Sequence, residues 1–256
     1  MIFVLDLGNT NIKCGVFKED KLIHSFKLST LADKTADEYG IVICASLERY
    51  NISPSDINGV IISSVIPSVN YTLDHMCRMY FNIRPMFVSP GIKTGINIKY
   101  KDPKELGADR IVNAVASYNL YGGPTIIIDF GTATTFGVIS KEGDFLGGAI
   151  CPGIKIATEA LTKNAAKLPH VELTVPESVI GTGTITSMQS GIIFGYVGTV
   201  EYLITKMKEN VPKAKVVATG GLFNIVAPLT KKIDIINPTL TLTGLNILYK
   251  KNFTQN

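Results

Sequence analysis

Four cysteines are spread along the chain, Cys14, Cys44, Cys77 and Cys151, each at least 30 residues from the next and none in a C-x-x-C pair. That spacing argues against a zinc site and predicts buried free thiols in a reducing compartment. Long apolar runs are scarce as well: the longest, Ile192 to Ile204, carries Glu201 and falls short of the ~20 residues of a membrane span. The first apolar run contains Asp6 and follows no basic stretch, which argues against a signal peptide and places the protein in the cytoplasm with no membrane partner. The Asn-x-Ser/Thr matches at Asn51, Asn70 and Asn252 therefore carry no weight. Charge of one sign never accumulates: 25 Lys and Arg face 21 Asp and Glu, a formal charge of +4. No nucleic-acid footprint results, and a small or anionic ligand suits the chain better. His24, His75 and His170 have neither triad nor ligand spacing and read as structural. There is no G-x-x-x-x-G-K-[ST] and no G-x-G-x-x-G after a strand, which disfavours P-loop and Rossmann enzymes; Gly181-Thr182-Gly183-Thr184 holds only a weak G-x-G.

What is present is a globular chain of 256 residues, 46% hydrophobic and 18% charged, long enough for two lobes. It repeats itself. IFVLDLG at residues 2–8 returns as TIIIDFG at residues 125–131, an offset of 123 residues that also relates Val16 to Ile139 and Glu19 to Glu142. Each copy reads as a buried strand ending in Asp-x-Gly, a polar turn, a second strand (12–17; 135–139), a charged turn and a third strand (21–28; 145–151). Helical patterns follow at 35–50, 68–81, 108–121, 154–167 and 187–208, with further strands at 59–66 and 214–218 and a last helical pair, broken near Pro228 and Pro238 and resuming from Leu240. The expected architecture is α/β, two similar lobes over residues 1–115 and 116–256, each a mixed sheet with helices, with the two Asp-x-Gly turns facing across a cleft. A duplication can also be purely structural, but both turns are polar.

In Asp6-Leu7-Gly8-Asn9-Thr10-Asn11 a strand-end acid precedes a glycine and then neutral hydrogen-bonding side chains. Backbone N–H groups in such a turn form an anion cradle, to which Asn and Thr add donors. Asp129-Phe130-Gly131-Thr132-Ala133-Thr134-Thr135 offers the same Asp-Gly pair and three hydroxyls. Carboxylates repel phosphate, so the two acids suit a bridging cation or its water shell, and metal-assisted phosphoryl transfer follows. Thr219-Gly220-Gly221 closes a strand and opens a helix; it could let a flat ring lie on bare backbone or be a simple strand-to-helix turn.

The duplicated strand and turn, with Thr219-Gly220-Gly221, resemble the acetate and sugar kinase, actin and chaperone ATPase superfamily, with its duplicated ribonuclease H-like fold. Taken in order, Asp6 to Ile12, Leu106-Gly107-Ala108-Asp109-Arg110, Asp129 to Thr135, Pro152-Gly153-Ile154, Lys167-Leu168-Pro169, Gln189-Ser190-Gly191 and Thr219-Gly220-Gly221 resemble a type III pantothenate kinase over nearly the whole chain. The resemblance implies ATP-dependent phosphorylation of pantothenate, with Mg²⁺ and a monovalent cation, K⁺ or NH₄⁺. It implies an ATP site at Asp6, Leu7, Gly8, Asn9, Thr10, Asn11, Ile12, Lys13, Thr132, Gly220 and Gly221, with Mg²⁺ near Asp6 and the monovalent cation on Asp129. It also implies a substrate site of Tyr100, Gly107, Ala108, Asp109, Arg110 and Thr184, with Asp109 as base, and a homodimer in which the partner supplies Thr184.

The residues leave alternatives. A hydroxyl nucleophile gains from a third carboxylate, and Asp109 begins a helix where an acid also serves the dipole. Arg110 could fork onto a carboxylate or be an exposed helix-start arginine. Tyr100 could border the pocket or simply end a strand. Thr182 and Gly183 depart from the basic residue and Asn more usual before that threonine in the family. Gly191, Gly195 and Gly198 fit either a dimer seam or an internal helix contact. Competing functions are another phosphotransferase of the superfamily or a non-catalytic accessory factor in transcription; intact Asp6, Asp109 and Asp129 argue against the latter.

Overall fold

The computed structural model describes residues 1–253, so Thr254, and with it the third Asn-x-Thr match, lies outside the described residues. Among the described residues, eleven strands and seven α-helices follow one another: β1 (Ile2–Leu7), β2 (Asn11–Lys18), β3 (Lys21–Ser29), α1 (Ala36–Glu48), β4 (Gly59–Ser64), α2 (Pro67–Phe81), β5 (Met86–Phe87), β6 (Asn97–Ile98), α3 (Ala108–Tyr121), β7 (Thr125–Phe130), β8 (Ala133–Ile139), β9 (Asp144–Pro152), α4 (Ile154–Asn164), α5 (Thr184–Asn210), β10 (Lys215–Gly220), α6 (Phe223–Val226), β11 (Ile235–Ile236) and α7 (Leu240–Asn252). They form two compact units. The first holds Met1–Ile96, Lys101–Ala116 and the described residues from Thr239 on; the second holds Asn97–Tyr100 and Ser117–Pro238.

The repeat seen in the sequence is a repeat of topology. The first sheet runs β3-β2-β1-β4-β5 and the second β9-β8-β7-β10-β11, with β6 added beside β9. In each, the central strand pairs antiparallel with the next strand of the meander and parallel with the strand that returns after a helix. β1 and β7 coincide end to end at the offset of 123 residues, as do β3 and β9. Strands flanked on both sides and covered on both faces read as continuous apolar runs, which is why IFVLDL and TIIIDF carry almost no polar residue before the acid.

Alternation along the strands builds the cores. In the first unit Phe3, Leu5, Leu7, Ile12, Cys14 and Val16 join Tyr39, Ile43 and Leu47 of α1 and Leu73, Met76 and Cys77 of α2. Thr35 starts α1 with a reciprocal cap: its hydroxyl accepts from Glu38 N–H while the Glu38 carboxylate accepts from Thr35 N–H. In the second unit Ile126, Ile128, Phe130, Phe136 and Val138 meet Val197, Val200 and Ile204 of α5. Of the four thiols, Cys14 and Cys77 are buried and Cys44 and Cys151 half-buried, all of them free. Burial pushes the Cys14 and Cys77 thiols far up, which keeps them protonated and inert.

The compact units and the expected boundary part company at the C-terminus. Residues expected in the second lobe fold as α7 against β1, β4 and β2 of the first unit. Their apolar stripe explains it: Leu240, Leu245 and Leu248 are fully buried, each worth about 1.5–3 kcal/mol of transfer free energy. Other departures are small. α5 begins at Thr184 rather than Ser187, and three two-residue strands, β5, β6 and β11, are too short to show a period in the sequence. Leu245→Ala should therefore destabilise the first unit by about 2–5 kcal/mol, readable as a lowered urea midpoint; a midpoint equal to wild type would remove α7 from the fold's core.

Candidate active site

Both turn acids sit at the same place in the same kind of row. Residues paired in register project to one face of a sheet, so Asp6 on β1 lies between Lys13 on β2 and Ser63 on β4. Asp129 on β7 lies likewise between Thr135 on β8 and Thr219 on β10. In the first row Lys13 Nζ stands 3.3 Å from Asp6 Oδ2, and Asp6 is only 6% exposed. A carboxylate removed from water to that degree needs a charged or strongly polar partner, and Lys13 supplies one.

The turn after Asp6 is closed by Gly8 N–H donating to Asn11 C=O at 3.0 Å and by Thr30, whose hydroxyl donates to Gly8 C=O at 2.7 Å and whose N–H donates to Thr10 C=O at 3.0 Å. Asn9, Thr10 and Asn11 are exposed at the turn. Leu7 and Ile12, expected at the nucleotide, are fully buried in the core cluster that includes residues of α1 and α2. What they can offer a ligand is backbone alone.

The second turn splits its three hydroxyls. Thr132 is exposed and Thr135 stands in the acid's row, but Thr134 points to the other face, where it is buried against the Tyr196 hydroxyl. Burial raises the Tyr196 hydroxyl above its ordinary value, so it remains a neutral hydrogen-bonding group. Thr134 is thus structural, a role that the strand's period of two assigns. Thr219-Gly220-Gly221 also divides. Gly220 has φ of +102°, and a Cβ there would come within 2.5 Å of Phe130 N and 2.7 Å of Asp129 Oδ1. Gly221 is exposed, with nothing within 4 Å of where its Cβ would stand, which leaves bare backbone open to a flat ring.

Gly107 and Asp109 form a local unit at the start of α3. Asp109 lies in the first turn, half-buried, and its Oδ1 is 2.5 Å from the position a Cβ on residue 107 would take, so the missing side chain is what admits the carboxylate. Ala108 is the first helical residue, and Gly107 C=O accepts from Ile111 N–H. Arg110 is 8% exposed, not the solvated helix-start arginine. Tyr100 ends the β6 segment of the second unit with its ring 6.3 Å from Phe145, a tilted contact. Thr184 starts α5 and, with Leu168, Gly181, Thr182, Gly183, Ser187 and Met188, lines an open recess of about 540 Å³. Gly191, Gly195 and Gly198 on the same helix are exposed with nothing near them, which removes the internal-contact reading.

Sequence reading missed Ser63 and Thr135 as partners of the acids, and took Thr219 only as part of a turn. Register is what assembles those rows, and no local motif records it. No group of three or more His, Cys, Asp or Glu among the described residues could hold a metal ion, and no described helix is long and apolar enough to cross a membrane.

A family model described as type III pantothenate kinase matches residues 2–206. Among solved structures, the chain is similar to a conserved putative Baf family transcriptional activator from Campylobacter jejuni, at 19% identity and a TM-score of 0.64 with 98% of each chain covered. It is also similar to a putative 2-dehydro-3-deoxygalactonokinase from Sinorhizobium meliloti, at 9% identity and a TM-score of 0.60 with 100% of each covered. A third is the ROK hexokinase from Thermus thermophilus, at 12% identity and a TM-score of 0.52, covering 96% of this chain and 97% of that one. At these identities the likeness shows the fold, that of the sugar kinases and actin-like ATPases.

The two glycines should respond differently to alanine. Gly220→Ala combines a left-handed backbone with a collision against Phe130 and should cost at least about 2 kcal/mol. Gly221→Ala should stay within about 0.5 kcal/mol of wild type. Thermal unfolding of both variants checks this, and equal melting temperatures would contradict the close approach at Gly220.

Proposed function

The chain belongs to the type III pantothenate kinases, whose family model spans most of it, and on that premise we propose which residues carry the transfer. The enzyme moves the γ-phosphoryl group of ATP to the alcohol of pantothenate, the first step towards coenzyme A, with ATP and a divalent metal as the kinase family implies. In this reading Asp109 accepts the proton of the attacking hydroxyl, and Arg110, Gly107, Ala108, Tyr100 and Thr184 hold pantothenate. The turns at Asp6–Lys13 and at Thr132, with Gly220 and Gly221, hold the nucleotide. The observation that carries the assignment is the pair of acid rows, each at the mouth of a glycine turn that leaves neutral donors exposed.

The donor chemistry fits the ions. Mg²⁺ takes few protein ligands and keeps its waters, which suits one strand-end carboxylate at Asp6 next to phosphate oxygens. A monovalent cation, K⁺ or NH₄⁺, takes carboxylate and neutral oxygens, which suits Asp129 with Thr135 and Thr219 beside it. When bound, the cations offset the charge of the phosphates. The protein's own part is positioning: Lys13 adds a fixed positive charge beside Asp6, and Gly107 leaves space for the Asp109 carboxylate.

A homodimer follows the same reading. α5 presents Gly191, Gly195 and Gly198 with the exposed Tyr202 on one face, through which a second copy could bring Thr184 to its neighbour's substrate. The cytoplasm, where ATP is plentiful and thiols stay reduced, is the compartment this chemistry calls for.

Asp109→Asn keeps the shape of the side chain but removes the base, so turnover should fall about 10²–10⁴-fold, roughly 2.7–5.4 kcal/mol of barrier. Melting should shift little, because Asn keeps the shape and the capping oxygen and the dipole contribution of the charge is about 0.3–1 kcal/mol. ADP release with pantothenate, measured beside thermal melting on one preparation, separates these; turnover within a few-fold of wild type would reassign the base. Mixing Asp109→Asn with Thr184→Val should restore part of the activity, since some mixed dimers regain one intact site. No recovery despite verified subunit exchange would reject a shared site.

A further inference from the structure

The two acid rows have one feature that phosphate binding does not explain. Ser63 and Thr219, which flank Asp6 and Asp129 in register, are both fully buried, and among the described residues neither hydroxyl has a hydrogen-bond partner. A buried hydroxyl without a partner is costly and uncommon, and a native fold retains one where an ion or water completes it. Here the same orphan occurs twice, at the same register position of two copies whose sequences otherwise differ at that point: Ile62-Ser63-Ser64 in one, Ala218-Thr219-Gly220 in the other. Ser117 and Thr125 also carry buried hydroxyls without a partner among the described residues, so it is the recurrence at one register position, beside an acid each time, that ties Ser63 and Thr219 to the acids.

The rows differ at their far ends. Across from Asp6 stands Lys13, an ammonium, whereas across from Asp129 stands Thr135, a hydroxyl. The first row therefore reads ammonium, carboxylate, hydroxyl, and the second hydroxyl, carboxylate, hydroxyl. Oxygen donors of that kind suit a cation that sheds its water readily, because neutral oxygens can replace a loose hydration shell. The Asp129 carboxylate also leans towards the Thr219 strand: its Oδ1 would lie 2.7 Å from a Cβ on Gly220 but 3.8 Å from one on Gly131.

We propose that the Thr219 hydroxyl, fully buried beside Asp129 and without a partner among the described residues, is a ligand of the cation held at Asp129. This rests on the monovalent-cation reading given above and adds to it the residue that selects a weakly hydrated cation over a strongly hydrated one. A hydroxyl enclosed in protein cannot turn to water when the ion leaves. Its affinity is therefore spent on the ion, and an ion that keeps its own water shell would not reach it.

The proposal gives Thr219→Val opposite effects on two measurements. Val matches Thr in shape, so with choline chloride as the only salt the variant should melt at or above the wild-type temperature, since no hydrogen bond is lost. Under a KCl titration at constant ionic strength, both the rise in melting temperature and the activation of pantothenate phosphorylation should need at least about tenfold more K⁺ than in wild type, the size of one decade of binding. Thr219→Ser, which keeps the hydroxyl, should stay within about threefold of wild type by the same measure. A Val variant that melts clearly below wild type in choline would show that the hydroxyl has a partner in the resting protein and would overturn the proposal. An unchanged K⁺ requirement in Thr219→Val, with wild type responding to K⁺, would overturn it as well. Were wild type itself indifferent to K⁺ in both melting and turnover, the cation reading would fall first and this assignment with it.

Discussion

A carboxylate placed at the end of a strand whose other residues are packed on both faces has to find its partners on the neighbouring strands. That constraint shapes both halves of this protein. β1 and β7 are central strands, so what flanks the buried Asp6 and the half-buried Asp129 is set by which residues β2, β4, β8 and β10 bring into register. An antiparallel neighbour on one side and a parallel one on the other gives each acid two fixed flanking side chains. The outcome is a short polar row embedded in an apolar sheet, at the point where the chain turns and backbone N–H groups become available.

The glycine turns, the caps and the helices serve that arrangement. Thr30, just past the end of β3, ties the first turn down, leaving Asn9, Thr10 and Asn11 outside. Gly220 allows the Thr219 strand to end against Phe130 and the Asp129 carboxylate, while Gly221 one residue later stays open. Thr134 is withdrawn from the site by strand alternation and spent on Tyr196. Neighbouring residues of one motif thus divide into those that hold the turn and those that a ligand can reach. A glycine pair or a threonine run read as a unit hides that division.

Duplication lets the two copies diverge without disturbing the scaffold. The first and third strands of the meander keep their lengths and offset, and the order of the shared strands is the same, yet Lys13 in one copy corresponds in register to Thr135 in the other. A single residue on the antiparallel neighbour changes the row from one carrying its own ammonium to one made of oxygen donors. The proposed division between a nucleotide-phosphate acid and a cation acid is written there.

The sequence alone determined much of this protein. Buried strands are apolar runs, an Asp-x-Gly at the end of such a run is a local signal, and an identical signal 123 residues on marks the second copy; the longer strands, the main helices and the family resemblance follow from short-range pattern. Gly107 to Arg110 was legible in the same way, since a helix start and its acid lie within four residues. Tertiary structure alone decided what depends on pairing between distant segments. Ser63 and Thr219 became neighbours of the acids only through parallel pairing across long connections, Thr134 and Thr135 were separated only by the face each strand position occupies, and α7 joined the first unit because its buried leucines pack on β1 and β4. The physical reason is the same in each case: a local motif reports the conformation of its own backbone, whereas burial and register are set by whichever distant surface covers it.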